Sequence, residues 1–196
     1  WAEAEPDRGA TFYFSLPIAD KQVVSLLPPQ NIKLRALWDK ALADHPVIAD
    51  FESPIQNRFF SAGNAVFDRI PRHDGHAAKI RFRKGAQYSG FGIGGPFPDW
   101  SGYGHLRFTI YSEQNDSIRL FLRIHDALHN NGYRDRYNAV LEIHPGVNEI
   151  TIFVDAIEGS PLNRTIDLRS IRAIGLFLMR PEKDLELIVD NFQLRK

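Results

Sequence analysis

The sequence predicts an all-β chain: an antiparallel sandwich of jelly-roll type, preceded by a short N-terminal hairpin and a connector helix. Three observations predict it. From about Pro46 to Lys196 short segments alternate apolar and polar residues, the two-residue period of a strand with one face in a core. Clusters of Gly, Pro, Asn and Asp break these segments apart, as turns do. Between them there is a single short helical stretch, near Asp167 to Ile171, so the crossover helices of a parallel sheet are missing. With 196 residues, 43% of them hydrophobic, the chain suits one medium domain plus an appendage.

The elements follow in order. Residues 1–18 hold two short strand-like runs around a Pro6-Asp7-Arg8-Gly9 turn, a hairpin too small to stand alone. Trp1-Ala2-Glu3, this turn and the closing run Ala10-Thr11-Phe12-Tyr13-Phe14-Ser15-Leu16-Pro17 resemble the last hairpin of a sensor histidine kinase ATP-binding domain. The asparagine and glycine boxes of that family are absent, so nucleotide binding is not carried over with the resemblance. Residues 19–45 form a linker in which Pro28-Pro29 precede an amphipathic segment, Ile32 to Ala43. There Leu34, Leu37, Trp38, Ala41 and Leu42 recur at helical spacing and form an apolar stripe for a neighbour or a partner.

The third zone, residues 46–196, supplies the sandwich. Strands are expected at Val47 to Glu52, Ala65 to Ile70, Ala77 to Phe82, Ser89 to Ile93, Leu106 to Tyr111 and Ile118 to His125. Further strands follow at Asn138 to Ile143, Glu149 to Val154, Ala173 to Met179 and Leu185 to Leu194. Gly90-Phe91-Gly92-Ile93-Gly94-Gly95 opens no helix, because Pro96 and Pro98 follow at once. It reads as a glycine-rich strand end and turn rather than a phosphate cradle.

Composition excludes several functions. Lys plus Arg and Asp plus Glu are equal at 24 each, and the basic residues are scattered, so no net field favours nucleic acid or an anionic membrane. The absence of cysteine excludes disulfides and thiolate metal sites without fixing a compartment. No apolar run reaches the roughly 20 residues that span a bilayer. The chain begins at Trp1 and reads as a fragment of a longer protein; its oligomeric state is open.

The densest polar stretch is Ile124 to Asn138, IHDALHNNGYRDRYN. Leu120, Leu122 and Ile124 alternate with Arg119, Phe121, Arg123 and His125, and downstream Ala139, Leu141 and Ile143 alternate with Asn138, Val140 and Glu142. If the two strands are neighbours, Arg123, His125, Arg136 and Asn138 converge on one polar face, edged by Asp126, Tyr133 and Asp135. Such a planar, hydrogen-bonding surface suits a polyhydroxylated ligand, and the same residues also read as a solvated sheet face. Arg123 and Arg136 have a structural alternative as ion-pair partners of Asp126, Asp135 or Glu142.

Other chemistries are less well supplied. His125, Asp126 and His129 come nearest to a zinc set, yet His125 and His129 share a face only on a helix, and the local pattern is strand then loop. Asp126, Asp135 and Glu142 offer carboxylates for acid/base hydrolysis, with nothing to select them. There is no cysteine and no Gly-x-Ser-x-Gly elbow for a nucleophile. Trp100, Tyr103, Tyr133 and Tyr137 are candidate ring platforms, Trp100 reading better as a plug at the end of the core.

Taken in order, Asp50-Phe51-Glu52, Pro98-Asp99-Trp100-Ser101-Gly102-Tyr103, the His125 to Asn138 segment, Pro145-Gly146-Val147-Asn148 and Ile188-Val189-Asp190-Asn191-Phe192-Gln193-Leu194 resemble galactose-binding-like jelly rolls. These include the family-eleven carbohydrate-binding modules and the related complex I intermediate-associated domain. The resemblance implies a non-catalytic module that binds a glycan through the polar sheet face. It also implies a structural calcium ion held by Asp50, Glu52 and Asp190, because the first and last strands of such sandwiches lie together and calcium takes about six to eight oxygens. A sensory or scaffolding module attached to a histidine kinase, or a glycoside-acting enzyme, remain the alternatives. Location follows the choice: extracytoplasmic for glycan binding, cytoplasmic if the kinase-like hairpin is genuine.

Overall fold

The computed structural model describes residues 2–5, 9–12, 47–95 and 99–196; the chain divides into one unit up to Ala36 and a second from Leu37. The expected connector helix at 32–43 lies outside the described residues. In the first unit β1 (Ala2–Glu5) and β2 (Gly9–Phe12) form an antiparallel hairpin, with Ala2 opposite Phe12 and Glu5 opposite Gly9.

The second unit is a sandwich of two antiparallel sheets. Its strands are β3 (Val47–Ala49), β4 (Phe60–Gly63), β5 (Ala65–Arg72), β6 (Gly75–Phe82), β7 (Tyr88–Gly94) and β8 (His105–Ser112). After them come β9 (Ile118–Asp126), β10 (Tyr137–Ile143), β11 (Gly146–Phe153), β12 (Ile171–Met179) and β13 (Leu185–Arg195). One sheet has the order β10-β9-β12-β7-β4, and the other runs β11-β8-β13-β6-β5 with β3 alongside β13. From β6 onward the chain crosses repeatedly between the sheets, so strands remote in sequence pair and the edges of the core close on each other.

Period-two alternation decides which face each strand buries. Leu120, Leu122 and Ile124 of β9 lie in the core beside Ile174, Leu176 and Leu178 of β12 and Phe91 and Ile93 of β7. Facing them are Leu106, Phe108 and Ile110 of β8, Ile80 and Phe82 of β6, and Leu187 and Val189 of β13. In β13 the parity changes midway, because the register slips between Asp190 and Gln193, with Asn191 at a φ of 57°. This bulge turns Phe192 and Leu194 inward although Val189 is already inward.

Most expected strands are present within a few residues. β4 was not expected, since Ser61, Ala62 and Gly63 carry no apolar alternation, and its pairing with β7 rather than its own propensity makes it a strand. A five-residue helix, α1 (Val154–Glu158), follows β11 and buries Val154 and Ile157. The helical stretch expected near Asp167 is one 3-10 turn, Leu168–Ser170. Trp100 is 1% exposed in the core cluster, as its reading as a plug anticipated.

The corner after β3 is closely packed around Phe51. Phe51 is fully buried at a φ of 61°, unusual for a bulky residue. Its N–H donates to Gln56 Oε1 at 2.7 Å and its carbonyl accepts from Arg69 Nε at 2.5 Å. Its ring lies 5.1 Å from that of Phe60, 6.2 Å from Phe67 and 6.4 Å from Phe192. Phe51→Ala removes the ring without relieving the backbone and is expected to cost about 3–5 kcal/mol, read as a fall in the urea midpoint at unchanged slope.

Candidate functional site

The outer face of the five-stranded sheet is organised by its registers. Asn138, Arg123, Gly175, Gly92 and Ser61 are successive cross-strand partners, forming one row across all five strands. The next row is Val140, Phe121, Phe177, Gly90 and Gly63. On β7, therefore, Tyr88, Gly90, Gly92 and Gly94 share the outer face, three of the four without a side chain. The result is a cleft of about 630 Å³, floored by Gly90, Gly92 and Gly175 and walled by Arg123, Arg136, Phe177, Tyr88 and the β4 edge from Ser61 to Asn64.

Two glycines are demanded by close approach. A Cβ on Gly90 would stand 2.6 Å from Cβ of Phe177 and 2.8 Å from the Leu176 carbonyl oxygen. A Cβ on Gly175 would stand 2.7 Å from Arg123 Nε and 3.0 Å from its Cγ. These contacts let the side chains of β9 and β12 lie over the sheet rather than stand away from it. Phe177 stacks on Phe121 with centroids 5.5 Å apart and meets Tyr88 edge-on at 5.8 Å, and the Arg123 guanidinium carbon sits 5.8 Å from the Phe177 centroid. Tyr88 is half exposed and offers an open ring face.

Arg136 is held from two sides. Its Nε donates to Asn138 Oδ1 at 2.9 Å, and its guanidinium carbon lies 5.5 Å from the Tyr133 centroid. Asn138 Nδ2 donates to the carbonyls of Tyr133 at 2.8 Å and Arg136 at 3.2 Å, so this amide braces the arginine instead of facing the cleft. Partial burial, and secondarily the charge of Arg123, draw the Arg136 pKa below its ordinary value.

Behind this face lies a cluster of opposite sign. Arg164 reaches both Asp126 oxygens, Nη1 to Oδ2 at 2.5 Å and Nη2 to Oδ1 at 2.8 Å, and its Nε donates to Asp135 Oδ1 at 2.5 Å. Asp126, 1% exposed, also accepts the Asp167 N–H, while Asp135 accepts the Asn130 N–H and meets His129 Nδ1. The Arg164 hydrogen bonds and these backbone N–H groups hold the Asp135 carboxyl well below the usual carboxylate range; Asp126 is also lowered, against the opposing pull of burial.

Of the residues expected at the site, Arg123 and Arg136 line the cleft. Asp126 and Asp135 do not; their oxygens are taken by Arg164, a partner far along the chain. Asn138 is a brace, and Tyr133, 69% exposed, lies under the Arg136 guanidinium outside the cleft lining. His125 also stands outside that lining; it is half buried, its Nδ1 is 3.2 Å from the Asp126 carbonyl oxygen, and burial lowers its pKa. Trp100 is in the core, and Tyr137 and Tyr103 pack against the core. Missed altogether were Tyr88, Phe177, Asn64 and the glycine lane. The signal was present in Tyr88-x-Gly90-x-Gly92-x-Gly94, where period two places four residues on one face.

Each carboxylate of the expected calcium set has a protein partner, Asp190 through the Asn191 N–H. Asp50 Oδ1 accepts from the Glu52 N–H and from Gln56 Nε2, and the Glu52 carboxylate is held by His76. The Phe51 and Glu52 carbonyls are capped by Arg69. Among the described residues no group of three or more His, Asp or Glu is arranged to hold a metal ion. The acids nevertheless feel one another: burial, then the charges of Glu52, Asp50 and Asp74, push the Asp190 carboxyl up to about 6.

No protein family and no curated protein matches the chain by sequence. Solved structures do match in fold. A family 11 carbohydrate-binding module from Clostridium thermocellum, in complex with a β-1,3-1,4-mixed-linked tetrasaccharide, superposes with a TM-score of 0.61 at 18% identity, covering 76% of this chain and 94% of that one. An exo-β-agarase matches with a TM-score of 0.58 at 19% identity, over 76% of this chain and 25% of the agarase. The family 30 module of a Clostridium thermocellum cellulosomal cellulase gives 0.52 at 8% identity, over 70% and 91%. The fold is therefore that of carbohydrate-binding jelly rolls.

Two outcomes follow from the charged clusters. A carboxyl raised in the folded state stabilises the fold below its unfolded value, near 3.8, and that stability is lost as pH rises through about 6. Asp190→Asn is thus expected to raise the melting temperature at pH 7.5 and to change it little at pH 4; calcium that stabilised wild type but not this variant would show the acids gathering on a cation. Arg164→Ala leaves Asp126 and Asp135 uncompensated and is expected to cost about 3–5 kcal/mol at pH 7. Because both carboxyls are lowered, that difference is present above the ordinary carboxyl range and shrinks as pH falls through their folded values, which denaturant midpoints across pH will read.

Proposed function

We propose that the sandwich is a non-catalytic glycan-binding module, and that a saccharide chain lies in the cleft over β7. The observation that carries this reading is the glycine lane headed by Tyr88, with Phe177 on one side and the β4 edge on the other. Sugar rings present apolar CH faces and a rim of hydroxyls. An open aromatic face buries the first, and Arg forks with Asn64 and Ser61 meet the second. A flat floor without side chains lets an extended chain lie close to the backbone. Likeness in fold to a module solved with a tetrasaccharide supports the same reading.

A hydrolase draws less support from the geometry. Glycoside hydrolysis in its usual form uses two carboxylic acids on either side of the scissile bond. Among the described residues the cleft is lined by no Asp or Glu, and Asp126 and Asp135 are both spent on Arg164.

A glycan array followed by calorimetric titration of the best ligand tests the proposal. Tyr88→Ala is expected to weaken binding about tenfold, the loss of roughly 1.4 kcal/mol of ring contact, with the melting temperature unchanged because the side chain is exposed. Incubation with the bound glycan should release no new reducing ends. Full binding by Tyr88→Ala would place the site elsewhere.

A further inference from the structure

The cleft wall holds two guanidinium groups and no carboxylate. Arg123 has no ion-pair or hydrogen-bond partner among the described residues, and Arg136 spends only Nε, on Asn138. Arg136 is partly desolvated, and the charge of Arg123 on the same wall adds to the strain on its own. Four arginines elsewhere on the sandwich are matched, Arg81 with Glu186, Arg83 with Asp184, Arg107 with Glu149 and Arg164 with two aspartates, whereas others such as Arg119 and Arg172 are single cations without a second one beside them in a cleft. Lys plus Arg equals Asp plus Glu over the whole chain, so this local excess is not a general basic character.

The nearby acids make the contrast sharper. Asp126 and Asp135, neighbours in sequence of His125 and Arg136, are the carboxylates that could have neutralised this wall. Arg164 instead draws both away and holds them ionised behind it. Asn138 fixes Arg136 through Nε, which leaves its two terminal nitrogens as a fork toward the cleft side of the sheet. Ground-state repulsion between fixed cations is relieved by an anion, and a planar fork recognises a carboxylate or sulfate oxygen pair with charge-assisted hydrogen bonds.

Resting on the glycan reading above, we infer that the ligand is an anionic saccharide, whose carboxylate or sulfate ester sits between Arg123 and Arg136 while a neighbouring ring lies against Tyr88 and Phe177. The sugar supplies the charge that the protein withholds. Neutral chains keep only the ring contacts and ordinary hydroxyl hydrogen bonds.

The test uses three probes of equal length: oligogalacturonate, the same oligomer with its carboxyls reduced to alcohols, and a sulfated galactan oligosaccharide. Titrations at low and high salt are run on the full chain and on Arg123→Gln and Arg136→Gln, which keep hydrogen-bonding capacity and lose charge. One of the two anionic probes is expected to bind at least about tenfold more tightly than the carboxyl-reduced one at low salt, and the advantage is expected to shrink as salt rises. Which anion wins identifies carboxylate or sulfate as the source. Each Gln variant is expected to erase that advantage while keeping the wild-type melting temperature. Neutral binding equal to or tighter than anionic binding, or an advantage untouched by either variant, overturns the anionic inference and leaves the glycan reading standing. Failure of every probe and of a neutral glycan array overturns both.

Discussion

The bridge from Arg164 to Asp126 and Asp135 organises more of the molecule than any other single contact. It ties the end of β9 to the turn before β10 and to the segment approaching β12, three parts of the chain that reach the same corner by separate routes. A buried aspartate without that guanidinium would be left ionised in the core, so the corner closes only with all three segments in place. Because the turn before β10 carries Tyr133 and Arg136, a contact behind the sheet governs side chains in front of it. Position at the cleft is thus inherited from charge neutralisation elsewhere.

The same division explains the electrostatic character of the two faces. On the six-stranded sheet, Lys79 and Arg81 flank Glu186, and Arg107 meets Glu149, cross-strand pairs that leave little residual field. The five-stranded sheet keeps its arginines unmatched in the cleft and gives up side-chain volume beside them. Each feature alone is unfavourable, since like charges repel and glycine weakens a strand. Both are tolerated because the sheet beneath is fully cored by Leu122, Ile124, Leu176 and Phe91.

The fold was legible because alternation is a local signal: β9 and β10 reveal their inner and outer faces residue by residue, and their pairing brings Arg123 beside Asn138 as the pattern requires. The site was half legible. Asp126 belongs to the inward parity of Leu122 and Ile124, but its partner is 38 residues away, and no local pattern announces a long-range ion pair. The glycine run was read as a strand end and turn since prolines follow it; only the neighbouring strands show that Gly90 and Gly175 are vacated by contact with Phe177 and Arg123. At Asp50, Glu52 and Asp190 the resemblance supplied a ligand set; His76, which holds the Glu52 carboxylate, and Arg69, which caps the Phe51 and Glu52 carbonyls, lie on strands whose pairing had to be seen.

A trough shaped by missing atoms has an evolutionary corollary. Its contour changes whenever carbon is added, and a single base change turns a glycine codon into one for alanine, serine or valine. The positions are not equivalent. At Gly63, on the β4 edge of the cleft, a methyl group would meet nothing within 4 Å, whereas at Gly90 and Gly175 it would meet atoms under 3 Å away. Drift in ligand preference is therefore channelled toward the β4 edge, where the cleft can be narrowed by small steps while its centre stays closed to variation.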